Sequence, residues 1–170
     1  MAERKNDKTG KTVTILGAVL AVLAVVMTVV LCLPKSGTTE FVPPPFDENA
    51  VPGVPEVAEK LGYSSPYKEG MAYRFSVCGN VTAENGAAVV YLTNPAENTV
   101  WLKLRVLDEN DRTLGETGII KPGEYVRCVT LEYVPDAGTK IKLKIMGYVP
   151  ESYESAGSAT LDTTMGGASE

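Results

Sequence analysis

The run VTILGAVLAVLAVVMTVVLCL at residues 13–33 constrains this chain more than any other stretch. It holds 21 residues with no charge and no proline, and its only hydroxyl side chains are two threonines. Wound as an α-helix it spans about 30 Å, the thickness of a bilayer's hydrocarbon core, and is expected to cross a membrane. A cleaved signal peptide has an apolar core of about 7–15 residues followed by small residues at its cleavage site. Here the core is longer, and Leu31, Cys32, Leu33, Pro34 and Lys35 offer no such site.

Orientation follows from charge. Residues 1–12 form a basic tail carrying Arg4, Lys5, Lys8 and Lys11, whereas the first residues past the helix carry only Lys35. The positive-inside rule puts that tail in the cytoplasm and residues 34–170 outside, as a single-pass protein of the plasma membrane. The bilayer is thus the first expected partner, through residues 13–33. Gly17, Ala21, Ala24 and Thr28 share one face of the helix, a small-residue stripe that lets two helices approach closely and makes a homo-oligomer conceivable.

Beyond the membrane, residues 34–70 read as a Pro-rich linker. Pro34, Pro43, Pro44, Pro45, Pro52, Pro55 and Pro66 favour extended backbone and suggest a semi-rigid stalk. One short helix is expected at residues 55–61, stopped by Gly62. From residue 71 the pattern changes to short alternating runs between turn residues. Tyr73, Phe75, Val77 and Val81 alternate with polar neighbours, which puts Cys78 on the polar face. Val90 and Leu92 face opposite to Val89 and Tyr91. Val100, Leu102, Leu104 and Val106 face opposite to Trp101, Lys103, Arg105 and Leu107; Ile141, Leu143 and Ile145 face opposite to Lys140, Lys142 and Lys144. Further strands are expected near residues 113–117, 125–131 and 158–164, with Asn85-Gly86, the acidic stretch 108–111 and Pro122-Gly123 as turns. The acidic stretch lacks the glycine spacing of a calcium loop and reads as a solvated hairpin tip. Residues 165–170 read as a flexible tail.

Seven strands over residues 71–164 have the size of one β-sandwich. The segment from Asn98 to Ile145, with its WLKLRVLD strand, KPGE turn and GTKIKLKI strand, resembles the extracytoplasmic β-sandwich modules, immunoglobulin-like or fibronectin type III-like, of bacterial surface proteins. The resemblance implies an all-β, seven-stranded sandwich tethered by one N-terminal transmembrane helix. Its motifs are structural, so it implies no catalytic residue.

Composition narrows the chemistry. There is no histidine, which removes the commonest general base and metal ligand, and no phosphate-binding loop or nucleophile motif appears. No enzyme activity, metal or cofactor is expected. Past residue 33 there are 12 basic and 19 acidic residues, a balance that argues against nucleic-acid binding. Outside the membrane the surroundings are oxidising, and Cys78 with Cys128 form a candidate disulfide if their Cα atoms come within reach. In a fibronectin-like topology the strands at 100–108 and 139–149 are neighbours. Lys103, Arg105, Lys140, Lys142 and Lys144 would then form a basic stripe beside Trp101, either a binding face for a protein or an anionic envelope polymer or simply a solvated sheet face. The expected function is a non-enzymatic, membrane-anchored binding module of the cell envelope. The alternative is an accessory subunit of a membrane assembly, such as a secretion or conjugation complex, that uses its helix for contacts.

Overall fold

A computed structural model describes residues 41–64 and 72–167. The apolar run at 13–33, its stripe Gly17, Ala21, Ala24 and Thr28, and the tail at 1–12 lie outside the described residues. No helix among the described residues is long and apolar enough to cross a membrane. The chain divides into two compact units, Met1–Val42 and Pro43–Glu170, and the second is the β domain.

Its strands are β1 (Val51–Pro52), β2 (Tyr63–Ser64), β3 (Val77–Cys78), β4 (Thr82–Glu84), β5 (Ala87–Asn94), β6 (Trp101–Asp108), β7 (Thr113–Glu116), β8 (Glu124–Thr130), β9 (Lys140–Tyr148) and β10 (Ser155–Thr164). Two four-stranded antiparallel sheets run in the orders β1-β8-β5-β4 and β10-β9-β6-β7, and β2 pairs with β3. The turns follow their chemistry. Asn85 and Gly86 both take positive φ between β4 and β5, the conformation a two-residue hairpin demands. Gly123 takes positive φ before β8, where Glu124 N–H donates to Lys121 O.

The alternation decides the faces. Leu102, Leu104 and Val106 of β6 and Ile141, Leu143 and Ile145 of β9 meet Val90 and Leu92 of β5 and Val126 and Val129 of β8 in one core. Tyr73 and Phe75 before β3, Val77 in β3 and Val81 just before β4 join it. The sheets therefore pack face to face around an apolar interior, an all-β arrangement with almost no helix. Asn94, fully buried at the end of β5, donates through Nδ2 to Val100 O at 2.9 Å and Ile120 O at 3.0 Å. It accepts from Asn98 Nδ2 at 2.7 Å, so one side chain ties the β5–β6 turn to the chain entering β8.

The Pro-rich stretch departs from the expected stalk. Ile119 N–H donates to Pro45 O at 2.8 Å, Asp47 N–H donates to Ile119 O at 2.9 Å, and Phe46 pairs with Ile119 in parallel. Ile120 in turn pairs with Leu102 of β6, so this stretch extends the second sheet. Six residues on, β1 lines the edge strand β8 of the first sheet, with Val51 opposite Tyr125. The physical reason is that proline, lacking an N–H, is tolerated on sheet edges, where Pro52 lies. The segment then crosses the outer face of the first sheet. The expected helix at 55–61 is reduced to a 3-10 turn, Glu59–Leu61, with Gly62 closing it at φ 58.

That crossing makes a second small core from Leu61, Cys78 and Val89, with Val57, Tyr63, Tyr91 and Cys128 packed against it. Cys78 is thus fully buried although its position alternates with core residues, because the face it points to is covered. The tail also begins later than expected. Met165 is buried in the main core, and Gly166 N–H donates to Val81 O at 2.6 Å.

Candidate functional site

The outer face of the sheet β10-β9-β6-β7 carries every residue of the expected basic stripe. β6 and β9 pair antiparallel, placing Trp101 opposite Tyr148, Lys103 opposite Met146, Arg105 opposite Lys144 and Leu107 opposite Lys142. On the other side of β9, β10 sets Thr160 against Lys144, Asp162 against Lys142 and Thr164 against Lys140. At about 3.3 Å per residue, β9 spreads this face over about 26 Å from Lys140 to Tyr148.

Three of its five cations contact a carboxylate, with Lys103 and Arg105 sharing one. Glu116 of β7 receives Lys103 Nζ on one carboxylate oxygen and Arg105 Nε on the other, each at 2.7 Å. The Lys103 side chain is only 7% exposed, so its stem packs along the sheet and its ammonium depends on Glu116. Burial pushes the Glu116 carboxyl up, but the hydrogen bonds from Lys103 and Arg105 outweigh it and hold the pKa below the ordinary value. Lys142 Nζ lies 2.6 Å from Asp111 Oδ1, a hydrogen bond that raises the lysine pKa. Asp108 closes the acidic turn, accepting from the backbone N–H groups of Asn110 and Arg112 and from Arg112 Nε. No group of three or more acidic or cysteine side chains suited to a metal occurs among the described residues. Lys140 and Lys144 are left without an ion-pair partner there. An open groove of about 540 Å³ runs beside Lys140, Lys142 and Asp162, with Glu109 and Thr164 on its walls.

The opposite end is aromatic. Trp101 meets Phe46 edge-on at 4.9 Å between centroids and Tyr153 at 5.3 Å. Lys121 Nζ sits 4.5 Å from the centre of the Phe46 ring, within cation–π range. Tyr148 donates its hydroxyl to the Met146 sulfur at 3.8 Å. The stripe expected from sequence contains Trp101 but not Phe46, Lys121, Tyr148, Tyr153 or the neutralising Glu116. Alternation could have assigned Tyr148, two residues beyond Met146 on the lysine face; Glu116 ends β7, and the others arrive from loops and from the Pro-rich segment.

The candidate disulfide is not formed. Cys78 and Cys128 are both free thiols. Val89 of β5 is the direct partner of Cys128, while the bridge between Ser76 and Thr93 sets β3 along the other side of β5. A strand between two cysteines separates their Cα atoms by about 9–10 Å, beyond the reach of a disulfide. Burial raises both thiols, Cys78 to about 11. On the same outer face Arg127 pairs with Glu84 and donates from Nε to the Tyr91 hydroxyl at 3.2 Å, and Tyr91 stacks on Tyr125.

This arrangement can hold a surface by rings, apolar stems and charges of both signs. Comparison of the chain with protein-family models, with curated proteins and with solved structures finds no match.

Proposed function

We propose that this chain is a non-enzymatic, membrane-anchored binding module whose β6–β9 face holds a protein partner outside the plasma membrane. The strand order supports an immunoglobulin-like or fibronectin type III-like sandwich. β4-β5-β8 and β7-β6-β9-β10 follow the orders A-B-E and C′-C-F-G. β1 takes the edge beside E that strand D fills in constant domains, using chain from before the first strand. The module departs from antibody domains in that Trp101 faces outward and no disulfide joins the sheets.

The observation that carries the reading is the paired charge on the β6–β9 face. With Lys103 and Arg105 sharing Glu116, and Lys142 paired with Asp111, the face presents both signs; Lys140 and Lys144 have no ion-pair partner among the described residues, and Lys140 lines the open groove. A polyanion gains most from clustered unmatched cations; a protein surface suits alternating charges with aromatic anchors. The test places a photo-crosslinking residue at Lys144 or, as a control on the far sheet, at Thr130, in the full chain in native membranes. A discrete adduct at 144 that is absent at 130 and lost in Lys140→Glu is expected. Equal adducts at both positions would remove the reading.

A further inference from the structure

The aromatic end of the face sits where the tether enters the domain. If residues 13–33 span the bilayer, only residues 34–42 separate that span from the unit that begins at Pro43. Nine residues reach about 30 Å at most, whereas a linker running to residue 70 would reach about 120 Å. Three residues into that unit, Phe46 packs on Trp101. Around that point lie Tyr148, Tyr153 and Lys121, and next to Tyr148 is Val149, 40% exposed.

We infer that this aromatic end, Phe46, Trp101, Tyr148, Val149 and Tyr153 with Lys121, is a second interaction surface that docks on the anchoring bilayer itself. This rests on the membrane-anchored reading of residues 13–33. Tryptophan and tyrosine favour the membrane–water interface because one edge of each ring is apolar and the other hydrogen-bonds. Lys121 lays its stem along such a surface and keeps its ammonium in water. Glu151 and Glu154 flank Tyr153 and are exposed, and Glu124 holds the Lys121 backbone N–H. The attraction is therefore through rings to the interfacial zone, and it does not need anionic lipid. Docking this end sets the long axis of β9 away from the membrane. The groove by Lys140 then faces outward, about 26 Å farther along the strand.

Trp101 is the only tryptophan of the chain, so its emission reports this surface alone. The full chain is reconstituted in phosphatidylcholine vesicles with and without a nitroxide on the lipid headgroup, and flotation measures anchoring. Trp101 emission is expected to fall by half or more with the nitroxide. A Trp101→Phe, Tyr125→Trp chain, which moves the reporter to the outer face of the other sheet, is expected to fall far less. A flexible insert of about twenty residues after Val42 separates docking from mere nearness. Quenching that survives the insert supports docking. Quenching lost with the insert, equal quenching of both reporters, or none at Trp101 in vesicles that carry the chain, overturns the inference alone. A chain that does not float with the vesicles overturns the anchored reading together with it.

Discussion

Asp47 accepts the backbone N–H of Gly118 on its Oδ2 at 2.8 Å, joining positions 71 residues apart in the chain. The contact is close enough that only glycine fits. A Cβ at Gly118 would lie 2.5 Å from the Asp47 backbone nitrogen and 2.6 Å from its Cα. Gly118→Ala must push the Pro-rich segment off the sheet and is expected to cost about 1–3 kcal/mol, as overpacking does. Asp47→Ala leaves the backbone pairing in place and removes the two side-chain bonds, from the Gly118 and Asn49 N–H groups, and is expected to cost about 1–2 kcal/mol. Urea unfolding of the two variants checks the order; equal wild-type midpoints would return this segment to the role of a loose linker.

Asn94 carries a second prediction. Its replacement by alanine takes the side-chain donor from the carbonyls of Val100 and Ile120, although Ile120 O keeps the Leu102 N–H. One orphaned buried group costs about 1–3 kcal/mol, so Asn94→Ala is expected to lose about 1–3 kcal/mol. Asn94→Asp keeps the shape but points an acceptor at those carbonyls, and should be at least as damaging. Thermal melts of the two variants distinguish a hydrogen-bond role from simple packing.

Glu116 and Lys103 give the acid response. The folded-state pKa of Glu116 is lowered, so its contribution to stability is present above the ordinary carboxylate range and is lost as pH falls through the folded value. Asp108 is lowered too, chiefly by the Arg112 backbone N–H, and acts in the same window. Stability is expected to drop below about pH 4. Glu116→Gln should destabilise at pH 7 by about 1–2 kcal/mol, since it strands the buried Lys103 ammonium, and Lys103→Met in the same chain should restore most of that. Urea midpoints at pH 7 and pH 3 for the single and double variants measure the coupling. Strict additivity would show that the pair is not coupled.

The thiols give the alkaline response. Cys78 is raised to about 11, so protonated Cys78 favours the fold at neutral pH and that contribution is lost as pH rises from the ordinary thiol range through about 11. In the native protein Cys78 should resist maleimide at pH 8, while the half-buried Cys128 reacts first. Denatured without reductant, the chain should take up label at Cys78 and Cys128 as well as at Cys32. Label that reaches Cys78 and Cys128 only after reduction would show that the two are bridged.

What could be read from the sequence depended on how each residue earns its place. Leu102, Leu104 and Val106, like Ile141, Leu143 and Ile145, lie on long strands with one covered face, and a two-residue period states that directly. The adjacency of Lys103 and Arg105 to Lys144 followed once both strands were placed in one sheet. Glu116 did not follow, because its position against Lys103 depends on a register shift between Val106 and Leu107 that leaves no periodic trace. Residues 34–70 read as a spacer because prolines mask pairings only two or three residues long. The contrary signal is their apolar content: Phe46, Val57, Leu61 and Tyr63 are poor material for a solvated stalk. The same segment covers Cys78, which explains why a position on a nominally polar face is buried.

The placement of Pro45–Asp47 against Gly118–Ile119 also orders the birth of the domain. The segment leaves the ribosome well before its partners, which lie some seventy residues later, so it stays unpaired until they emerge. While it waits, Pro43, Pro44, Pro45, Pro52 and Pro55 present no backbone donor, so it is a poor template for a stray strand. A nascent chain halted before residue 118 would carry a tether that is extended and unpaired. Completion of both sheets is what converts that tether into part of the wall.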